Sequence, residues 1–153
     1  MKQVDETDKK ILNQLQQDNR VTADKLSSIL HLSNSAVQRR LKRLRDEKII
    51  EADISVVSPE VAGLTVTCIV DVSLELGNSP VIDEFKKLLM ACPEVMQCYF
   101  VAGSFDFILI ISTRDMKHYE EFSKKYLMDN VQVKQYQTHV VLDKVKVRYG
   151  MSL

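Results

Sequence analysis

The segment between residues 21 and 50 constrains the fold of this chain more than any other, because it specifies where two helices begin. It reads VTADKLSSILHLSNSAVQRRLKRLRDEKII, and Thr22 and Ser33 are residues that favour the helix N-cap. Each cap is flanked by an apolar pair at the spacing of a hydrophobic staple. The pairs are Val21 with Leu26 and Leu32 with Val37. The segment therefore predicts two short helices joined by a tight turn.

The second of these helices, predicted over Ser33–Lys48, concentrates positive charge. Only Asp46 and Glu47 oppose its basic residues, and the whole chain has 21 basic and 21 acidic residues, so the cluster is a local feature. A compact helical unit with this charge distribution is typical of proteins that bind duplex DNA. The basic residues are Arg39, Arg40, Lys42, Arg43, Arg45 and Lys48.

This basic helix also separates its residues by face. At about 100° per residue, Val37, Leu41 and Leu44 point one way. Arg40 borders this apolar stripe. A solvated face of any amphipathic helix would give the same pattern. The stapled helix before it and the short turn favour a helix-turn-helix, whose second helix enters the major groove. The residues of the opposite side are Ser35, Gln38, Arg39, Lys42 and Arg43.

The composition disfavours several classes of protein. The 153 residues suffice for one domain or two small ones, and no apolar run approaches the roughly 18 residues of a membrane span. The first residues lack the apolar core of a secretion signal. Cys68, Cys92 and Cys98 are odd in number and lack CxxC spacing, which disfavours a disulfide framework and a zinc site. We therefore expect a cytoplasmic protein with no membrane partner and no bound metal.

Two domains are expected from the order of the patterns along the chain. Asp5 is expected to cap a first helix, because it precedes an apolar stripe at helical spacing. Ile49–Val57 is rich in β-branched residues and predicts a strand after the basic helix. Because Pro59 then interrupts the pattern, we place the boundary here. Residues 1–60 form a three-helix, winged helix-turn-helix domain with a linker strand, and residues 61–153 form the second domain.

The second domain alternates strands and helices. The order βαββαβ is that of the ferredoxin-like split βαβ fold, in which helices cover one face of an antiparallel sheet. The other face also carries apolar residues, so we expect a second subunit to cover it. The fold class is therefore α+β. Strands are predicted over 64–76, 95–102, 105–112 and 131–142, helices over 81–91 and 115–126, and a short terminal strand over 144–149.

Three segments carry a resemblance to a known family. VDETDKKILNQLQQDNR (Val4–Arg20) resembles D-x-x-D-x-x-I-L-x-x-L-x-x-D-x-R, and LSNSAVQRRLKRLRDEKII (Leu32–Ile50) resembles L-S-x-T/S-x-x-x-R-V/L/I-K/R-R-L-x-x-x-G-V/I-I. VAGSFDFIL (Val101–Leu109) resembles T/A-G-x-Y/F-D-Y/F-x-L. In this order, and over essentially the whole chain, they resemble the Lrp/AsnC family of bacterial and archaeal transcription regulators. The resemblance implies a homodimer, assembling up to an octamer, that binds double-stranded DNA and a small effector.

The chain departs from the family pattern at several turns. His31 and Lys48 stand where the family usually has glycine, so a positive φ is expected at His31. Asn34 and Ala36 stand where the family often has proline near the start of the third helix. These departures concern turn geometry, since none of them removes a functional group.

Position along the basic helix divides its polar residues into two groups. Residues near the start of a recognition helix meet base edges, whereas later residues and the cap meet phosphates. A symmetric dimer would present two such helices to half-sites roughly 10–21 bp apart. For base contact we expect Ser35, Gln38, Arg39 and Arg43. For phosphate contact we expect Ser33, Arg40, Lys42 and Arg45.

A tight loop in the second domain is a candidate small-molecule site. The sequence GSFD, from Gly103 to Asp106, lies between two predicted strands, and by itself it is an ordinary hairpin turn. Asp106 is suited to pair with an α-ammonium group. The resemblance implies that an amino acid binds at this loop, between subunits. The residues it implies are Gly103, Ser104, Asp106, Gln135, Thr138 and His139.

No pattern points to catalysis or to a cofactor. The chain has no nucleophile–base signature, P-loop or GxGxxG, and its three histidines lack the spacing of a metal triad. Two alternatives stay open, an enzyme resembling the siroheme decarboxylases on the same scaffold and a stand-alone amino-acid sensor. Arg114 and Arg148 are the only arginines after Arg45, which is a poor lining for a polyacidic tetrapyrrole.

Overall fold

The protein, represented by a computed structural model that describes residues 4–153, forms two compact units. One contains the residues up to 56 together with Val145–Leu153, and the other is Val57–Lys144. The last nine residues therefore belong with the first unit, whereas the sequence boundary assigned them to the second domain. None of the helices in the described range is long and apolar enough to cross a membrane.

The first unit contains three helices: α1 over Glu6–Gln17, α2 over Ala23–Leu30 and α3 over Asn34–Asp46. The caps predicted at Asp5, Thr22 and Ser33 are confirmed, because each side chain accepts a hydrogen bond from the backbone N–H three residues later. Such a bond satisfies one of the backbone donors that a helix start leaves unpaired. The starts of all three helices are thus set by local chemistry.

A small apolar core holds the three helices together. Burial of one such side chain stabilises the fold by about 1.5–3 kcal/mol, so a rotation of α3 that exposed this core would be costly. The predicted apolar face of α3 is confirmed, since Val37, Leu41 and Leu44 are all buried. The polar side of α3 consequently faces outward. The core residues are Ile11, Leu12, Leu26, Val37, Leu41 and Leu44.

The turn between α2 and α3 depends on a left-handed residue. His31 has φ 54° and ψ 43°, which confirms the positive φ expected where the family usually has glycine.

The end of α3 also has a left-handed residue, since Lys48, just after the helix, has φ 53°. The backbone N–H groups of Ile49 and Ile50 both donate to the Leu44 carbonyl, at 2.9 and 3.0 Å, and close the end of α3.

Two strands that the sequence predicts are absent. Neither residues 49–57 nor residues 144–149 form a strand, so both predictions are wrong. A strand is stable only when its N–H and C=O groups pair with a neighbour, and within residues 4–153 neither segment has one. Instead the Asn19 side-chain amide donates to the Ile54 carbonyl at 3.3 Å, and Ile54 remains 64% exposed.

The second unit confirms the predicted βαββαβ order and its ferredoxin-like topology. The four strands form one antiparallel sheet in the order β2-β3-β1-β4. A π-helical turn, Lys124–Met128, extends the second helix of this unit, and the sequence analysis did not predict it. The elements are β1 Val66–Leu74, α4 Ser79–Met90, β2 Val95–Phe100, β3 Phe107–Thr113, α5 Met116–Ser123 and β4 Val133–Val140.

The two faces of this sheet differ in burial. On one face, side chains such as Val70 and Leu109 are fully buried in a core shared with Phe85 of α4 and Phe122 of α5. On the other face, which we call the open face, Ile69, Ile108 and Ile110 are only partly buried. Tyr99 of β2 lies on the same face and is 51% exposed. The helices therefore cover one face of the sheet, as predicted.

Candidate nucleic-acid interface and effector loop

The outward side of α3 begins at its N-cap. The Ser33 hydroxyl accepts from the Ala36 N–H at 3.2 Å and lies 3.2 Å from the Ser35 hydroxyl. Ser33, Ser35, Gln38 and Arg39 are exposed. Together with exposed Lys42 on the following turn they form what we call the recognition surface. Backbone N–H groups at a helix start favour an anionic oxygen, and this surface begins at one.

Two arginines of α3 converge on a carboxylate of α1. Arg40 Nη1 donates to Asp8 Oδ1 at 2.8 Å, and Arg43 Nη2 donates to Asp8 Oδ2. Arg40 Nη1 also donates to Asp5 Oδ2 at 2.7 Å. The pKa of Asp5 is lowered, first by the Asp8 backbone N–H and then by Arg40. The pKa of Arg40 is raised by its hydrogen bonds to Asp5 and then Asp8.

The remaining two cations that were predicted to meet phosphates have exposed acidic partners. Lys42 Nζ lies 2.5 Å from Asp46 Oδ2, and Arg45 Nε lies 2.9 Å from Asp53 Oδ2. Lys42 is 77% exposed and Arg45 is 44% exposed. Pairs of this kind are worth about 0–1 kcal/mol in water, so a phosphate oxygen can replace either carboxylate at little cost.

Arg39 differs from the other arginines of α3. Within the described part of the chain it has no acidic partner and no hydrogen-bond acceptor, whereas Arg40, Arg43 and Arg45 each bind at least one carboxylate. Its side chain is exposed on the recognition surface. The guanidinium of Arg39 therefore offers its donors to solvent, and an external acceptor needs to displace only water.

The loop between β2 and β3 is held by Asp106. The Asp106 carbonyl accepts from the Val101 N–H and the Asp106 N–H donates to the Val72 carbonyl, both at 2.9 Å. Asp106 Oδ2 accepts from the Leu74 N–H at 2.8 Å, so one carboxylate oxygen is used inside the loop. A Cβ added at Gly103 would meet nothing within 4 Å, which leaves open space above the backbone there. Ser104 is exposed in the same loop.

The three predicted effector residues of β4 lie in different places. Gln135 pairs with Ser73, and His139 pairs with Ile69, on the open face. The Thr138 side chain lies on the helix-covered face, where its hydroxyl is 2.5 Å from that of Tyr119. The structure therefore separates Thr138 from the other two.

A residue that the sequence analysis did not single out lies beside this loop. Ser73 is 8% exposed, and its hydroxyl oxygen is buried without a hydrogen-bond partner in residues 4–153. Ser73 pairs with Gln135 of β4 on one side. On the other side, the Asp106 carboxylate accepts a hydrogen bond from the backbone N–H of the next residue, Leu74. The end of β1 thus brings Asp106 and Gln135 to either side of one serine. A serine in a strand has no sequence signal that distinguishes this position.

Comparisons with known proteins settle the family. Residues 67–151 match the family model of the Lrp/AsnC ligand binding domain, and residues 4–51 match that of a winged helix-turn-helix DNA-binding domain. The chain belongs to the Lrp/AsnC family of transcriptional regulators. It is accordingly a helix-turn-helix regulator of transcription with a ligand-binding domain.

Relatives and solved structures of the Lrp/AsnC family match along nearly the whole chain. An uncharacterized HTH-type transcriptional regulator of Sinorhizobium fredii is 43% identical over 99% of this chain and 89% of its own length. The leucine-responsive regulatory protein of Haemophilus influenzae is 31% identical over 95% of this chain and 87% of its own. The crystal structure of a Neisseria meningitidis transcriptional regulator in complex with L-Met has a TM-score of 0.90 at 30% identity, and covers 97% of this chain and 96% of that one.

The two ion pairs of Asp8 in this Lrp/AsnC regulator were not predicted from the sequence. Asp8 follows Asp5 by three residues, and in the structure the two side chains form a capping box at the start of α1. The same side chain is fully buried and binds two arginines of α3. A signal was present in the sequence, because Asp8 lies at helical spacing from Ile11 and Leu12 and so shares their apolar face, where a carboxylate is rarely buried unless it is paired.

Proposed function

We propose that this Lrp/AsnC regulator binds operator DNA through the recognition surface, with α3 in the major groove. Ser35, Gln38 and Arg39 would meet base edges, because they lie near the helix start and are exposed. The observation that carries this proposal is the unpaired guanidinium of Arg39, which suits a bidentate contact with guanine. Ser33, with its helix N-terminus, and Lys42 would meet phosphates.

The other three arginines enter the proposal differently. Arg45 is a phosphate contact that exchanges exposed Asp53 for a phosphate oxygen. Arg40 and Arg43 were predicted as phosphate and base contacts, but both bind the buried carboxylate of Asp8. We therefore propose that Arg40 and Arg43 contribute to DNA binding by positioning α3 and not by contacting the DNA.

We further propose that the regulator acts as a dimer through the open face of its sheet. A single chain leaves Ile69, Ile108 and Ile110 only partly buried there, and a second copy placed on them would remove this apolar surface from water. Two recognition surfaces would then bind half-sites roughly 10–21 bp apart. Further association of such dimers, up to an octamer, is part of the same proposal. We place the regulator in the cytoplasm, because bacterial and archaeal cells, in which the Lrp/AsnC family occurs, keep their chromosomal DNA there.

The proposed effector is a free amino acid bound at the loop of Gly103, Ser104 and Asp106. Support comes from Asp106: its Oδ2 accepts from the Leu74 N–H, and its Oδ1, which has no hydrogen-bond partner within residues 4–153, is available to accept from an α-ammonium group. The open space above Gly103 admits a ligand close to the backbone. Gln135 and His139 complete the predicted set, His139 through a second subunit, and Thr138 acts indirectly through Tyr119. The Neisseria meningitidis relative was crystallised with L-Met.

The proposal is tested first with the wild-type chain. Duplexes are selected from a random pool, and the affinity for a selected duplex is compared with that for a random duplex at several salt concentrations. We expect tighter binding of the selected duplex, and for both duplexes a steep loss of affinity with salt. Absence of salt-dependent binding to either duplex would instead favour the stand-alone sensor. Light scattering with a panel of amino acids then tests the assembly and its response to an effector.

A further inference from the structure

Asp8 is the point at which two residues of the recognition helix meet the rest of their unit. Its side chain has 0% exposure, Oδ1 accepts from Arg40 Nη1 at 2.8 Å, and Oδ2 accepts from Arg43 Nη2. Oδ2 also accepts from the Asp5 backbone N–H at 3.1 Å. Both carboxylate oxygens therefore have donors, as a buried charge requires.

This arrangement restrains α3 in a way that the apolar core does not. Arg40 and Arg43 are three residues apart, so they project from neighbouring positions on one side of the helix. Burial of Val37, Leu41 and Leu44 favours one broad face of α3 but is non-directional. Charge-assisted hydrogen bonds to both oxygens of one carboxylate are directional and short. They select one rotation of α3 among those that the core permits.

The same contacts make Arg40 and Arg43 poor partners for a phosphate. Their side chains are 30% and 38% exposed, whereas Lys42 on the same helix is 77% exposed. An arginine that left Asp8 for DNA would leave a buried carboxylate with one donor fewer, which is strongly unfavourable. An exposed pair such as Lys42 with Asp46 faces no such cost.

We propose that Asp8 is a positioning residue for DNA recognition, which holds Arg40 and Arg43 away from the duplex and sets the rotation of α3 that presents Gln38 and Arg39. This inference rests on the proposed function of the recognition surface. Loss of the carboxylate releases the guanidinium group of Arg43, leaves Arg40 with exposed Asp5 as its acidic partner, and so loosens the orientation of the recognition surface. Affinity for any duplex then rises while discrimination between duplexes falls, which is not the pattern of a domain that has merely become unstable.

The test uses Asp8→Asn, with Asp18→Asn as the matched control. Both variants remove one negative charge from the same unit, but Asp18 binds exposed Arg20 at 2.9 Å, and within residues 4–153 no hydrogen bond or ion pair joins its side chain to α3. Affinities are measured for a duplex selected by the wild-type protein and for a random duplex over a range of salt. For Asp8→Asn we expect the selected-to-random ratio to fall about tenfold, the size of one lost base contact. The salt dependence on random DNA should steepen by about one to two units, and the control should match wild type.

Arg43→Gln separates positioning from direct contact. We expect it to lower the selected-to-random ratio without reducing the salt dependence, because Arg43 does not neutralise a phosphate. In the Asp8→Asn background, the same change should remove about one unit of the gained salt dependence. A salt dependence reduced by about one unit in Arg43→Gln alone would show a direct phosphate contact and overturn the inference.

The remaining outcomes are also decisive. If Asp8→Asn behaves like Asp18→Asn, Asp8 does not position the helix. If Asp8→Asn fails to fold, as judged by circular dichroism, the salt dependence of Arg43→Gln decides the question alone. If the wild-type chain binds neither duplex, both the proposed function and this inference are wrong. If the wild-type chain binds DNA but the variants bind it as the wild type does, only the inference is wrong.

Discussion

The Tyr119 hydroxyl lies 2.5 Å from the Thr138 hydroxyl and joins helix α5 to strand β4 on the helix-covered face of the sheet. Tyr119 is only 6% exposed, so the Thr138 hydroxyl replaces water as the hydrogen-bond partner of its phenol. The hydroxyl of Thr138, which the family resemblance implied for effector binding, is thereby occupied.

Removal of the Thr138 hydroxyl should destabilise the second unit. Thr138→Val leaves the buried Tyr119 phenol without this partner, and we expect a loss of about 1–3 kcal/mol in the free energy of unfolding. Tyr119→Phe removes the polar group itself and should cost less, and the double variant should resemble Tyr119→Phe alone. Urea unfolding followed by circular dichroism measures all three. A Thr138→Val variant more stable than Tyr119→Phe would contradict the hydrogen bond.

The same phenol should make stability depend on pH in the alkaline range. Burial raises the pKa of Tyr119 to about 12, from an ordinary value of 10.0. Because the folded pKa lies above the unfolded one, the stabilisation is complete below about pH 10 and is lost as the pH rises to about 12. The loss amounts to roughly 2–3 kcal/mol. Tyr119→Phe should make the free energy of unfolding depend less on pH in this alkaline range. The control Tyr149→Phe, at a residue 68% exposed, should leave that pH dependence as in the wild type.

Arg39 and Lys42 should affect DNA binding in different ways. Arg39→Gln should reduce the binding free energy for a selected duplex by about 1–3 kcal/mol and change that for a random duplex little, since it removes a base contact. Lys42→Gln should lower the affinity for both duplexes alike, and it should reduce the slope of log affinity against log salt concentration by about one unit. Filter binding at several salt concentrations measures both, and Lys117→Gln, an exposed change in the second unit, is the control. Equal losses on both duplexes from both changes would refute the division between base and phosphate contacts.

A charge on the open face should break the proposed dimer. Ile110 is partly buried in a single chain and pairs with Ile69 in the centre of that face. Ile110→Asp would bury an unpaired carboxylate between two sheets, so we expect monomers by light scattering and an unchanged circular dichroism spectrum. Val131→Asp, at a residue 92% exposed outside the sheet, should keep the wild-type mass. An Ile110→Asp variant of wild-type mass would exclude this face as the dimer interface.

Local chemistry explains which parts of the fold were predictable. Thr22 and Ser33 cap their helices as expected, because a side-chain acceptor and the N–H it binds are three residues apart. The left-handed conformation of His31 was predictable from the family resemblance, because the family usually has glycine, the residue that most readily adopts a positive φ, at this position. The βαββαβ order followed from periodicity and turn residues in each segment.

The failures arose where a segment depends on distant parts of the chain. Ile49–Val57 has the composition of a strand, but composition does not supply a neighbour for its backbone, and Ile54 stays exposed. In the loop between β2 and β3, the sequence singled out Asp106 but not Ser73, which lies beside the loop only because of strand pairing. Thr138 and His139 are adjacent in sequence, yet the pleat of the strand sends them to opposite faces.

The sequence by itself determined the helix starts, the apolar face of α3, the topology of the sheet and the family, since each depends on residues close together in the chain or on motifs. Only the tertiary structure decided which of the basic residues are free to bind an external anion. Arg39 and Arg40 are neighbours with the same charge, but Arg40 lies within reach of Asp5 and Asp8, more than 30 residues earlier, and Arg39 does not. Ion pairing depends on distance in space, and only the packing of α1 against α3 sets that distance.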